Sequence, residues 1–225
     1  MTFSPEWDRE FREGRHLSRW PWSDLVSFVK RYTDSKTVRI LELGCGAGAN
    51  VGLFVYTPVR YYFGVDGSKR AISLCNSYHG VMHYPHVEFK CTDFTKEIPF
   101  EGQFDLIFDR AAVTHNDTKS IKRCIELVKD KLKPGGKYVG IDWFSTDHDG
   151  YHRKRDTVVV DGFTYTDFKD GLFKGVGKVH FSSREHLYEL FEGFTFEALE
   201  HKITLREIPE YYKMASWNFV CSLKK

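Results

Sequence analysis

The strongest constraint on this chain is the run Ile40-Leu41-Glu42-Leu43-Gly44-Cys45-Gly46-Ala47-Gly48, where an apolar stretch breaks into three alternate glycines. Residues 38–43 read as a buried strand, and residues 47 to about 56 as a helix stopped by Pro58. Glycines at such a junction let the backbone turn sharply and approach a ligand that a Cβ would hold off. A helix start behind them offers free N–H groups and the positive end of a dipole. The loop alone leaves its ligand open, because Gly44-x-Gly46-x-x-Ala49 also fits the dinucleotide fingerprint, which tolerates Ala at its last place.

The same alternation continues along the chain. Strands are expected at 61–66, 87–91, 104–109 and 137–142. A helix is expected at 68–79, capped by Ser68, and another at 120–132, with Ile121, Cys124, Ile125, Val128 and Leu132 at helical spacing before Pro134-Gly135-Gly136. Strands separated by helices imply an α/β fold, a parallel sheet covered on both faces. Ahead of this, Trp20-Pro21-Trp22-Ser23-Asp24 resembles a helix start with Ser23 as N-cap. The pattern loosens over 143–181, a connection long enough to be functional or locally structured. A helix at 182–191 and strands at 194–203 and 217–223 close the chain. One domain over 1–225 is expected, with an N-terminal lid (1–36), a ligand-binding core (37–142), a lid insert (143–181) and a closing segment (182–225).

Three acids bear on the ligand. Glu42 lies two residues before the first glycine, where a carboxylate suits a cationic amino-acid end and repels a pyrophosphate. Asp66 closes the second strand, where a carboxylate can accept two ribose hydroxyls in either kind of site. Asp93 follows the third strand and can accept from an adenine amino group, with Phe94 beside it to pack on the ring; a loop acid or helix cap is the plainer alternative.

With these in place, four segments in order resemble the class I S-adenosylmethionine (SAM)-dependent methyltransferases: Leu41 to Gly48, Gly64-Val65-Asp66-Gly67-Ser68, Cys91-Thr92-Asp93-Phe94, and Phe104-Asp105-Leu106-Ile107-Phe108-Asp109. Leu132-Lys133-Pro134-Gly135-Gly136-Lys137 follows before the fifth strand. The resemblance implies a Rossmann-like sheet of seven mostly parallel strands, helices on both faces and the last strand antiparallel. It implies SAM as cofactor, with Glu42 and the backbone of Gly44, Cys45, Gly46 and Gly48 on the methionine portion. It further implies Asp66 with Gly67 and Ser68 at the ribose, Asp93 and Phe94 at the adenine, and Asp109 and Arg110 lining the methionine side.

Methyl transfer from a sulfonium needs positioning above all, and an alcohol acceptor also needs a base. Candidates are His115 and Asp142, which follow strands four and five, with His148 and His152 in the insert. Arg110 could hold an acidic substrate group or pair with Asp109. A divalent ion on Asp109, Asp142 and a histidine is conceivable, but the scattered spacing leads us to expect no metal.

The acceptor class is what the resemblance implies. Small-molecule methyltransferases of this family build a lid from the N-terminal segment and from the segment after strand five, both expanded and aromatic-rich here. The chain resembles small bacterial methyltransferases that modify sugars or sugar nucleotides. Aromatics reach 16%, many of them outside the strands. Phe3, Trp7, Phe11, Trp20 and Trp22 lie in the N-terminal segment. Trp143, Phe144, Tyr151, Phe163, Tyr165, Phe168 and Phe173 lie in the insert. A small-molecule substrate is expected, with O-methylation of a sugar or sugar nucleotide preferred and Tyr151-His152-Arg153-Lys154-Arg155 as a phosphate contact. N- or S-methylation, RNA modification and SAM binding without turnover remain alternatives. A net charge of +2 with no long basic tract argues against a nucleic-acid partner. The five cysteines, without a Cys-x-x-Cys pair, favour a reducing cytoplasm, and no membrane span or signal peptide is read. The chain is expected as a monomer or homodimer.

Overall fold

The computed structural model describes residues 5–34, 36–54, 57, 59–81 and 86–224. Its frame is a seven-stranded sheet in the order β3-β2-β1-β4-β5-β10-β9. The strands are β1 (Arg39–Leu43), β2 (Tyr61–Asp66), β3 (Val87–Cys91), β4 (Phe104–Arg110), β5 (Leu132–Phe144), β9 (Phe194–Arg206) and β10 (Tyr212–Leu223). The first five run parallel, and β10 is antiparallel to both β5 and β9. This is the Rossmann-like arrangement, with the last strand reversed.

Alternation along the strands sorts the core into two layers. Leu41, Leu43, Ile107 and Tyr138 face α5 (Thr118–Lys131) and α7 (Arg184–Leu190), through Ile121, Cys124, Val128 and Leu187. Ile40, Tyr62, Leu106, Phe108 and Val139 face α2 (Ser23–Tyr32) and α3 (Val51–Phe54), through Leu25, Phe28, Val51 and Phe54. Period two in the strands and period 3.6 in the helices thus meet as two apolar faces of one sheet.

The structure corrects several sequence expectations. The helix expected after the glycines shrinks to α3, because Gly46 and Gly48 hold left-handed φ values of +54° and +85° that no helix accepts. Val55, Tyr56 and Pro58, its expected end, lie outside the described residues. Trp22 rather than Ser23 occupies the N-cap of α2, and no side chain caps that end. Asp117, not anticipated, caps α5 by accepting from the Ser120 N–H at 2.8 Å. Strand β5 begins at Leu132, and its Pro-Gly-Gly run is absorbed as a break in register against β4. The closing strands are also longer than expected. Ser68 does cap α4 (Lys69–Val81), through a 3.1 Å bond from the Ala71 N–H.

The loose stretch 143–181 is locally built. It holds α6 (Asp149–His152) and a three-stranded antiparallel sheet of β6 (Val158–Val159), β7 (Thr164–Thr166) and β8 (Val179–His180). Tyr165, Phe168, Phe173, Val179 and Phe181 form its own small core. Ahead of the sheet, α1 (Glu6–Arg12) docks on α4, where the Asp8 carboxylate accepts from the Ser68 hydroxyl at 2.7 Å and the Arg70 N–H at 3.1 Å.

Candidate active site

The ends of β1, β2 and β4 open on the same edge of the sheet, where ligands of such folds bind. The turn after β1 is held by backbone. The N–H groups of Gly44 and Cys45 both donate to the Val65 carbonyl, at 2.8 and 2.9 Å. Gly44 has φ +70°, and an added Cβ would lie 2.2 Å from the Ala112 Cβ, so no other residue fits there.

A cavity of about 280 Å³ opens over this turn. Of the residues singled out from sequence, Glu42, Gly44, Cys45, Gly46, Asp66, Gly67, Asp93, Phe94, Arg110 and His115 line it. Four others do not. Gly48 packs instead against His79 and Cys75, which a Cβ would strike. Ser68 is fully buried as the α4 cap. Asp142, with a left-handed φ of +55°, turns to Arg110, whose Nε donates to it at 3.0 Å. Arg110 therefore pairs with Asp142, not Asp109.

Asp109 is the largest departure. It has no exposed surface and accepts four hydrogen bonds: Tyr138 Oη at 2.5 Å, Trp143 Nε1 at 2.8 Å, and the N–H groups of Ala112 at 3.0 Å and Val113 at 3.1 Å. It pins the turn after β4 to β5 from below and does not reach the cavity.

Glu42 and Asp66 carry the electrostatics of one wall. Glu42 accepts from Asn50 Nδ2 at 2.7 Å and from the Tyr62 hydroxyl. Asp66 accepts from the N–H groups of Gly46 at 2.9 Å and Ser68 at 2.8 Å. Burial pushes their carboxyls up to about 7 and about 6, and no cationic side chain offsets it in either case. Two buried acids without a cation beside them fit a positively charged ligand. Asp93 is partly engaged: its Oδ1 accepts from Thr95 Oγ1 at 2.6 Å, and its Oδ2 lies 3.4 Å from Lys96 Nζ. The plainer reading as a loop acid thus holds for a residue that also lines the cavity.

The facing wall comes from both ends of the chain. Trp7, Phe11 and Trp22 of the N-terminal segment line it, with Phe144 at the end of β5 and Leu172, Phe173 and Val176 from beyond it. Phe3 lies outside the described residues. Trp143 is drawn into the core by Asp109, and Tyr151, Tyr165 and Phe168 pack within the insert. Trp20 is exposed. Trp22 lies under Arg110, whose guanidinium carbon is 3.5 Å from the ring centre. His16, Asn50 and Asn116 also line the cavity, and no motif pointed to them.

His115 sits in this wall, between the edges of Trp7 and Phe144 at centroid distances of 4.7 and 5.6 Å. Its Nδ1 lies 2.8 Å from the Lys178 carbonyl oxygen. Burial lowers its imidazolium pKa to about 4, so it is neutral at ordinary pH. The other base candidates lie elsewhere: His148 caps α6, accepting from the Gly150 N–H, and neither it nor His152 lines the cavity. The expected phosphate contact is also elsewhere, with the Lys154 ammonium over the rings of Tyr151 and Tyr165 and Arg153 reaching Asp149.

Residues 40–136 match a family model described as a methyltransferase domain. The chain is 26% identical over 193 residues to O-methyltransferase 3 of Dictyostelium discoideum, covering 81% of this chain and 42% of that protein. It is 27% identical over 148 residues to thiocyanate methyltransferase 1 of Brassica oleracea, covering 64% of each. The chain thus spans less than two thirds of the length of these relatives. In fold, a SAM-dependent methyltransferase from Methanosarcina mazei superimposes with a TM-score of 0.71 at 18% identity, over 88% of this chain and 98% of that one. No helix among the described residues is long and apolar enough to cross a membrane. The glycine turn and the two cation-seeking acids thus lie within or beside the segment that matches a methyltransferase domain, the chain resembles the class I SAM-dependent methyltransferases in fold, and SAM, their cofactor, carries the positive charge those acids lack.

Proposed function

We propose that this chain transfers the methyl group of SAM to a hydroxyl oxygen of a small acceptor with a flat, largely apolar body, and that His115 takes the hydroxyl proton. The observation that carries this reading is His115 itself, a neutral imidazole in the cavity wall whose Nδ1 is engaged by a carbonyl, leaving Nε2 with the lone pair.

SAM supplies a methyl group on a sulfonium, already activated for in-line displacement. The residues hold and orient it. Glu42 and Asp66 would face its cationic portion and its ribose, Gly44 to Gly46 would offer the close backbone, and Thr92, Asp93 and Phe94 would border the adenine, since all of them line the cavity. The Arg110 guanidinium, braced by Trp22 and Asp142, suits the methionine carboxylate. Trp7, Phe144, Phe173 and Val176 favour a planar acceptor and exclude water around the transfer.

A base that titrates near 4 is unprotonated at neutral pH but a weak acceptor, so it serves a phenol-like hydroxyl better than an alkyl alcohol or sugar. The Brassica relative favours a second reading, transfer to a small sulfur anion of the kind it is named for, which needs no base. Labelled SAM offered with panels of phenols, sugars and sugar nucleotides, thiols and thiocyanate tests both. Labelled phenol ethers that disappear with His115→Ala support the first reading. Turnover on thiocyanate or thiols alone, indifferent to that substitution, overturns it.

A further inference from the structure

A neutral imidazole can carry its proton on either nitrogen, and only one arrangement leaves Nε2 free to accept. In this structure the choice is made by the insert. The Lys178 carbonyl lies 2.8 Å from His115 Nδ1, and a carbonyl only accepts, so the proton belongs on Nδ1. The position of that carbonyl is fixed in turn. Lys178 immediately precedes β8, the returning strand of the insert, and its Nζ reaches Asp117 Oδ2 at 2.5 Å. Asp117 stands two residues beyond His115 and caps α5 with its other oxygen. Both members of the pair are partly buried. Burial works against the Asp117 charge, yet hydrogen bonds from Lys178 and Ser120 hold its carboxyl down at about 2. Asp117 is therefore ionised at neutral pH.

We propose that the Asp117–Lys178 ion pair is a positioning device for His115, pinning the returning strand of the insert to the start of α5 so that the Lys178 carbonyl keeps the proton on Nδ1 and Nε2 free. The catalytic meaning rests on the reading of His115 as base; the tautomer does not. Docking of the insert and readiness of the imidazole then become one event, since the segment that carries Leu172, Phe173 and Val176 into the acceptor wall also carries the carbonyl. Trp7 and Phe144 set the ring plane from either side, and the nearby charges of His16 and Arg110 disfavour a second proton on the ring.

The test is ¹⁵N NMR of the full chain labelled at histidine, with His115→Ala used to assign the resonance. Wild type should show Nδ1 protonated and Nε2 unprotonated. Asp117→Asn keeps an N-cap of similar quality while removing the charge, and Lys178→Gln removes the other partner. Each should lower the ratio of the Nδ1–H to the Nε2–H form about fivefold, the factor that the ~1 kcal/mol net value of one hydrogen bond corresponds to. Lys178→Arg should retain the wild-type spectrum. A wild-type ring protonated on Nε2, or a wild-type ratio in both Asp117→Asn and Lys178→Gln, overturns the proposal. The base reading fails separately, on an unchanged methylation rate in His115→Ala.

Discussion

The two walls of the cavity are made of different material. The wall over β1 to β3 is mostly turns and acids: Gly44 and Gly46, whose left-handed φ is forced, and carboxylates at or near strand ends. The facing wall is mostly side chains, brought from residues 7–22 and 144–176 and held by aromatic edges. A wall of backbone tolerates almost no change, because each position must permit a particular φ or a close approach. A wall of packed rings requires volume and shape, which many sequences supply.

That contrast can be broken by substitution. His115→Ala should have the largest effect, a fall in turnover of about 10²–10⁴-fold with SAM affinity unchanged, read by labelled transfer and calorimetry. An equal loss of SAM binding would show that the two walls are not separable. Gly44→Val combines a disfavoured φ with a Cβ aimed at Ala112, and should weaken SAM binding by about 10²–10³-fold. Asp66→Ala should weaken it by about 10- to 100-fold, as expected for hydrogen bonds to a charged group. Trp7→Ala should leave SAM affinity within about threefold and raise the KM of the acceptor, since it removes one ring from a wall of several.

Acidity sharpens the comparison further. Glu42 and Asp66 have folded pKa values raised above their ordinary ones, so the ligand-free protein binds extra protons and loses stability as pH rises from about 4 to about 7. A cationic ligand favours the ionised acids and lowers those pKa values, so SAM affinity should be full above about pH 7 and fall as pH drops below it. The gap in Tm between SAM-bound and ligand-free protein should therefore widen from about pH 5 to about pH 7.5. His115, lowered to about 4 by burial, is unprotonated in both forms above about pH 5 and so cancels from that gap, although it adds stability to each form as pH rises from about 4 to about 6.5. A gap that is constant from about pH 5 to about pH 7.5 would remove the two acids from the cofactor site.

The same difference in material decided what could be read beforehand. The parallel sheet followed from alternating apolar runs, and its reversed last strand from the resemblance that the motifs carry, whereas the strand order was not read beforehand. Gly44, Gly46 and Asp66 were legible because the chemistry fixes both their type and their place. Gly48, Ser68 and Asp109 belong to the same motifs but serve the turn itself, and spacing cannot separate a residue that touches a ligand from one that holds the residue that does. His16, Asn50 and Asn116 had no signal, since each reaches the cavity through tertiary packing alone. The strands inside 143–181 were hidden by their length of two or three residues, too short for any period to show.

Asp109 has a consequence for descent. It gathers the turn after β4, Tyr138 and Trp143 into one buried junction beneath the floor of the cavity, apart from the residues that meet an acceptor. Drift in the rings above leaves that junction intact, whereas its own loss would release the floor. Lineages built this way can exchange one acceptor for another many times while the methyl donor stays the same.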